Sequence, residues 1–103
     1  MESLHFEFDG GRPRAPFAPT LVGVVASGNL EVLVECAPGT GCRIDVDTSA
    51  RGFGAIWEAV LRDFHDRHDI AGIAISIHDM GATPAVVSLR LDQAMSTIAG
   101  ATP

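Results

Sequence analysis

Residues 53–78, FGAIWEAVLRDFHDRHDIAGIAISIH, change hydrophobic period part-way along. Phe53, Ile56, Trp57, Val60, Leu61 and Phe64 recur at steps of three and four, which predicts an amphipathic helix over 53–68 with one apolar stripe. Glu58, Arg62, Asp63, Asp66 and Arg67 take the opposite face, with Glu58 and Arg62 spaced for an i,i+4 ion pair. After Asp69, Ile73, Ile75 and Ile77 alternate with Ala74, Ser76 and His78, the two-residue period of a strand with one buried face. A helix and a strand that are each apolar on one side satisfy that side by packing together, so a helix layer lies on a sheet.

Working outward, Leu4, Phe6 and Phe8 alternate with His5, Glu7 and Asp9, and Gly10-Gly11 ends this first strand. Pro13, Pro16 and Pro19 make 12–20 a Pro-rich connector, expected to be extended and without regular structure. The apolar run Leu21 to Ala26, the break Ser27-Gly28-Asn29, and the alternation of Leu30, Val32 and Val34 with Glu31 and Glu35 predict a β-hairpin. Beyond a turn at Pro38 to Gly41, Ile44, Val46 and Thr48 alternate with Arg43, Asp45 and Asp47, a third consecutive strand expected to pair antiparallel through its short connection. Thr83 and Pro84 read as the N-cap and first position of a second helix, carried on by Val87, Leu91, Ala94 and Ile98, although Val87, Leu89 and Leu91 would also suit a strand. The sum is an α+β two-layer sandwich: a mainly antiparallel sheet with two helices packed on one face, residues 1–103 forming one domain.

Composition narrows the chemistry. The chain has 103 residues, 47% of them hydrophobic, and a formal charge of −6 from 7 basic and 13 acidic residues. Every basic residue is arginine, so Schiff-base catalysis and a P-loop lysine are excluded. The acidic balance argues against nucleic acid. The apolar runs fall short of the roughly 20 residues of a membrane span, and MESLHFEFDG lacks the basic and apolar regions of a secretory signal. The expected location is the cytoplasm, where Cys36 and Cys42, though a turn could set them opposite one another, are expected to be reduced.

Candidate sites are few. His65 and His68 at i,i+3, near Asp69, have a spacing that can share a metal but lack the three or four ligands of a competent site, and a solvated helix end is the simpler reading. His78-Asp79 with Ser27 or Ser76 invites a hydrolase reading. Neighbours on a strand point to opposite faces, however, and no G-x-S-x-G elbow is present. Asp45 and Asp47, with Glu31 and Glu35 expected nearby, read as a solvent-facing carboxylate surface. Ser27, between Ala26 and Gly28 at the expected hairpin tip, has nothing local to activate it as a nucleophile and suits modification by another protein, although on spacing alone an ordinary turn serine is the simpler reading, because Ser and Gly dominate such loops.

Three stretches carry a family resemblance. Residues 21–35, LVGVVASGNLEVLVE, resemble the attachment region of malonate decarboxylase acyl carrier (delta) subunits. Residues 77–84, IHDMGATP, with VSLRLDQA at 87–94, and the opening MESLHFEF are similar to the same family, so the likeness spans nearly the whole chain. The citrate lyase acyl carrier subunit is a more distant match. Two positions depart from the family pattern: Ala26 where glycine is frequent, and Asn29 where an acidic residue is common. Both keep the turn permissive. The resemblance implies a carrier without catalytic or metal-binding residues of its own. Ser27 would be esterified through a phosphodiester by 2'-(5''-phosphoribosyl)-3'-dephospho-CoA, whose thiol carries acetyl and malonyl thioesters during malonate decarboxylation to acetate and CO2. Implied partners are the acyl-transferase subunit, the decarboxylase subunits and the transferase that attaches the arm, with no nucleic acid or membrane. The alternative is an unmodified regulatory or scaffolding subunit. Glu31, Glu35, Asp45 and Asp47 are expected to flank the hairpin and steer it toward basic partner surfaces.

Overall fold

The computed structural model describes residues 2–13, 17–22, 30–37, 39 and 41–101. In chain order the elements are β1 (Glu2–Asp9), β2 (Arg12–Pro13), β3 (Thr20–Val22), β4 (Leu30–Cys36), β5 (Gly41–Thr48), α1 (Gly54–His68), β6 (Ile70–Ala71), β7 (Ile73–Asp79) and α2 (Pro84–Ala101). Five strands form one sheet in the order β1-β5-β7-β4-β3, and β2 pairs with β6 in a second, two-residue ladder. Within the large sheet only β5 and β7 run parallel; β1–β5, β4–β7 and β3–β4 are antiparallel. Both helices cover one face, so the expected two-layer α+β sandwich is the observed architecture.

The sequence period explains the layering. Cys42, Ile44 and Val46 of β5, Ile73, Ile75 and Ile77 of β7, and Leu30, Val32 and Val34 of β4 are all buried on the helix side. Against them pack Trp57, Leu61 and Phe64 of α1 and Val87, Leu91, Ala94, Met95 and Ile98 of α2. The ambiguous stretch at Val87 is helical. Thr83 caps it, its Oγ1 accepting the Val86 N–H at 3.3 Å, and Pro84 begins the helix where a missing N–H costs nothing. Leu89 is exposed, as a helical turn requires and a strand would not.

One expected neighbour relation is wrong. β5 does not pair with β4; β7 is inserted between them. The 15-residue helix between β5 and β7 is the cause, since a crossover of that length returns the chain parallel to the strand it left. The turn at 37–40 therefore spans a whole strand. Cys36 and Cys42 both lie opposite Ile73, one on each side of β7. Strands about 4.8 Å apart put two such positions beyond the roughly 7 Å limit for a bridge, and both cysteines are free. Burial pushes the Cys42 thiol up to about 12, which leaves it protonated and unreactive.

The Pro-rich connector also departs from expectation. Arg12 and Pro13 form a parallel ladder with Ile70 and Ala71, and the Arg12 N–H donates to the Asp69 carbonyl at 2.9 Å. Gly11 permits this approach: at φ +103 a Cβ there would sit 2.8 Å from the Ile70 backbone. Farther along, Phe17 packs on the core, and its backbone N–H donates to the Cys36 sulfur at 3.3 Å.

Because β7 has strands on both sides and helices above it, its isoleucines have little room to relax. Ile75→Ala is expected to lower unfolding free energy by about 2–5 kcal/mol, read from the urea midpoint at unchanged m-value.

Candidate functional site

The C-terminal ends of β5 and β7 lie side by side, Thr48 opposite Asp79, and Leu30 at the start of β4 pairs with Asp79 from the other side. This end of the sheet is organised by the Asp79 carboxylate, which is 4% exposed. Its Oδ2 accepts the Thr48 hydroxyl at 2.8 Å, and its Oδ1 accepts the N–H groups of Gly81 at 3.1 Å and Ala82 at 2.7 Å. The Asp79 carbonyl accepts the Ser49 N–H, and Thr48 Oγ1 accepts that of Ala50. One carboxylate thus ties the loop entering α1 to the loop entering α2 (an Asp-Met-Gly turn of the kind in which a short carboxylate bonds its own backbone two residues on).

Between those loops and the first turns of the two helices lies an apolar cleft of about 300 Å³. Ala50, Phe53, Ile56, Trp57, Val60, Asp79, Gly81, Ala82, Pro84 and Val87 line it. The helical stripe read from the sequence divides here: Trp57, Leu61 and Phe64 enter the core, whereas Phe53 and Ile56 stay 46% exposed at the cleft. Sequence reasoning missed both the Asp79 tie and the cleft. The Asp-x-Gly turn directly after the isoleucine strand was the available signal for the first.

His78 and Asp79 point to opposite faces, as strand geometry demands. Asp79 faces the helices, while His78 is exposed with its Nδ1 3.8 Å from Asp47. Every oxygen of Asp79 is committed to the loops, so it does not orient His78. Ser76 lies on the outer face between Leu33 and Asp45.

His65 and His68 diverge. His65 is buried, not solvated as expected, and stacks on Phe8 with ring centroids 5.4 Å apart. Its Nε2 has no hydrogen-bond partner among the described residues. His68 turns to α2, its Nε2 2.9 Å from Asp92, which also accepts Arg67 at 2.9 Å. Partial burial pushes the Asp92 carboxyl up, but these hydrogen bonds and charges outweigh it and hold it below the ordinary carboxylate value. Among the described residues no group of three or more His, Cys, Asp or Glu side chains could hold a metal ion. No described helix is long and apolar enough to cross a membrane.

Glu31, Glu35, Asp45 and Asp47 all lie on the sheet face that carries no helix, but β7 separates the two pairs. Glu31 and Asp47 flank His78, and Asp45 sits beside Ser76. At the β1 edge His5 Nδ1 lies 2.6 Å from Asp45, and its Nε2 lies 3.3 Å from Glu7. Ser27, with Gly28 and Asn29 of the expected hairpin tip and Gly23 to Ala26 of the apolar run before it, lies outside the described residues. Its flanking strands are described: β3 pairs antiparallel with β4, Val22 opposite Val32. Val22 and Leu30, which bound the 23–29 segment, therefore both stand at the Asp79 end.

Two measurements test this arrangement. Asp79→Ala leaves the Gly81 and Ala82 N–H groups and the Thr48 hydroxyl without their acceptor and is expected to cost about 2–3 kcal/mol. Asp79→Asn recovers most of that loss in urea denaturation, because one amide oxygen still serves the loop N–H groups. Hydrogen bonds to Asp45 and then Glu7 raise the His5 pKa above its ordinary 6.5. The stability it contributes is full below pH 6.5 and fades as pH rises through the raised folded value. NMR titration of His5 should show that raised pKa, and Asp45→Asn should return it toward about 6.5.

Comparison with known proteins bears on the whole chain. The family described as Malonate decarboxylase delta subunit (MdcD) matches residues 18–98. The malonate decarboxylase acyl carrier protein of Burkholderia cepacia is 66% identical over 96% of this chain and 92% of its own length. That of Xanthomonas axonopodis pv. citri (strain 306) is 61% identical over 98% of each. A chain in the crystal structure of a Pseudomonas malonate decarboxylase hetero-tetramer in complex with malonate superposes with a TM-score of 0.84 at 42% identity, covering 95% of this chain and 99% of that one. With agreement in sequence and fold along nearly its full length, the chain belongs to the malonate decarboxylase acyl carrier (delta subunit) family.

Proposed function

We propose that this chain is the non-catalytic acyl carrier of a cytoplasmic malonate decarboxylase, and that Ser27 carries a phosphoribosyl-dephospho-CoA arm through a phosphodiester. The observation that carries the reading is the 66% identity, over 96% of the chain, to a malonate decarboxylase acyl carrier protein. When attached, the arm supplies a thiol that holds acetyl and malonyl groups as thioesters while malonate is converted to acetate and CO2.

The protein's own part is to anchor and present. Ser27 would hold the arm; the paired strands β3 and β4 hold both ends of the 23–29 segment, and the Asp79 tie fixes the sheet end beside them. The cleft there suits the short ethylene-thiol end of such an arm rather than its amide-bearing middle. Among the described residues no arginine lines it, so it does not suit the phosphate-bearing nucleotide half. A tethered acyl group meets each catalytic site at high effective concentration, so the carrier needs no catalytic group. Its partners in this reading are the acyl-transferase subunit, the decarboxylase subunits and the transferase that attaches the arm. The helix-free acidic face is suited to steer it toward basic surfaces on them.

Intact-mass measurement of the chain produced in its native host beside the other decarboxylase subunits should show an adduct heavier than phosphopantetheine, with fragmentation placing it on Ser27. Ser27→Ala should keep the fold by circular dichroism, lose the adduct and abolish malonate decarboxylation in the assembled complex. An unmodified chain that still assembles would instead support the scaffolding alternative, and an active Ser27→Ala complex would exclude the proposed attachment site.

A further inference from the structure

Trp57 and Val87 of the apolar cleft belong to the core, but its outer rim does not. Two of its large side chains, Phe53 and Ile56, remain half exposed, although the 15-residue α1 buries Trp57, Leu61 and Phe64 of the same stripe. Its place is the second observation: Asp79, in the cleft wall, is the register partner of Leu30, where the chain re-enters the sheet after the segment bearing Ser27. We infer that the cleft lined by Phe53, Ile56, Trp57, Val60, Ala82 and Val87 receives the thiol end of the carrier's own arm while that end is uncharged, and releases it when it bears a carboxylate. This rests on the reading of Ser27 as the attachment residue.

Chemistry and size select the occupant. A volume of about 300 Å³ is at the bottom of the roughly 300–1,000 Å³ range of small-molecule pockets, enough for the end of an arm and not for the whole of it. The walls are aliphatic and aromatic side chains. The polar side chain among them, Asp79, has its carboxylate oxygens occupied by Thr48, Gly81 and Ala82. A thiol or acetyl thioester loses little on entering such a site. A malonyl carboxylate would lose its hydration, find no cation among the described residues of the lining and approach the Asp79 carboxylate, so it is disfavoured. Affinity need only be weak. At a millimolar effective concentration, a dissociation constant near 0.1 mM keeps about nine arms in ten in the cleft and slows attack on the thiol about tenfold. The arm end is thus shielded in the resting and acetylated states and offered outward once malonyl is loaded.

The test uses the arm-bearing chain, its adduct verified by mass. Iodoacetamide alkylation of the arm thiol, followed by mass spectrometry so that Cys36 is counted separately, is compared between the folded chain and the arm-bearing peptide cut from it. The folded chain should react about tenfold more slowly. Ile56→Glu and Phe53→Glu, changes at half-exposed positions, should restore the peptide's rate without moving the urea midpoint. Trp57, the chain's one tryptophan, reports occupancy separately. Its indole N–H resonance in the Ser27→Ala chain should shift with added acetyl-pantetheine and stay in place with equal malonyl-pantetheine. A chain with no adduct overturns the Ser27 reading and this inference with it. An adduct whose thiol reacts as fast in the folded chain as in the peptide overturns the cleft assignment alone. So does Ile56→Glu if it blocks assembly with the other subunits yet leaves the alkylation rate unchanged, because the cleft would then belong to a partner protein.

Discussion

The fold depends on one strand being paired on both edges and covered on one face. β7 presents Ile73, Ile75 and Ile77 to the helices and lies between β5 and β4, parallel to the first and antiparallel to the second. A strand bearing three isoleucines on one side gains most when no edge of it meets water, and here the backbone groups of β7 are shared with neighbours on both sides. That demand overrides the short 37–40 connection. β4 and β5 are separated so that β7 can enter, and the cysteines at their near ends are held apart with them. It also sets the direction of the helices, since the β5-α1-β7 crossover and the β7-α2 turn both start from one end of the sheet.

Convergence of two loops at that end creates a polar difficulty that Asp79 resolves. The loops into α1 and α2 bring the Ala50, Gly81 and Ala82 N–H groups to a partly buried site, where leaving them unpaired carries a desolvation cost. A single carboxylate with the Thr48 hydroxyl satisfies the set. The tie also sits at the register partner of Leu30, the point where the chain re-enters the sheet after residues 23–29. The opposite end of α1 is closed differently, by Arg67 and His68 on Asp92. These are partly exposed ion pairs, each contributing little alone.

Much of the fold was legible because its signals are local. Alternation at Leu4–Phe8, Leu30–Val34, Ile44–Val46 and Ile73–Ile77, and the three-and-four spacing of Trp57, Leu61 and Phe64, each reflect which side of an element faces the core. Order within the sheet was not legible in the same way. Two strands joined by a four-residue connection look like a hairpin, and only the 15-residue helix after β5 hints that a parallel neighbour is coming. The ladder of Arg12 and Pro13 with Ile70 and Ala71 pairs residues nearly sixty positions apart and depends on Gly11 admitting the Ile70 backbone, a tertiary fact without a local pattern. His65 departs from the expected solvated position for a similar reason: a polar ring one step off an apolar stripe is drawn inward when Phe8 offers a face to stack on. Ser27 came from the family resemblance rather than from spacing, since a Ser-Gly pair between two strands is what any turn can contain.

The two faces of the sheet divide the work in a way that the charge count alone does not show. The helix-free face gathers Glu7, Asp9, Glu31, Glu35, Asp45 and Asp47, relieved by Arg43, His5 and His78, and so holds nearly half of the chain's 13 acidic residues on one surface. That asymmetry gives the molecule a direction in an electric field: a basic partner attracts one broad face and leaves the helical layer turned away. The Asp79 end lies at the margin between the two layers. A site placed there remains open to a partner that has captured the acidic face, while the helices behind it keep the apolar cleft within reach of the same stretch of chain. In the proposed carrier role, keeping the charged face and the apolar cleft apart lets docking through charge and sheltering through apolar contact change independently.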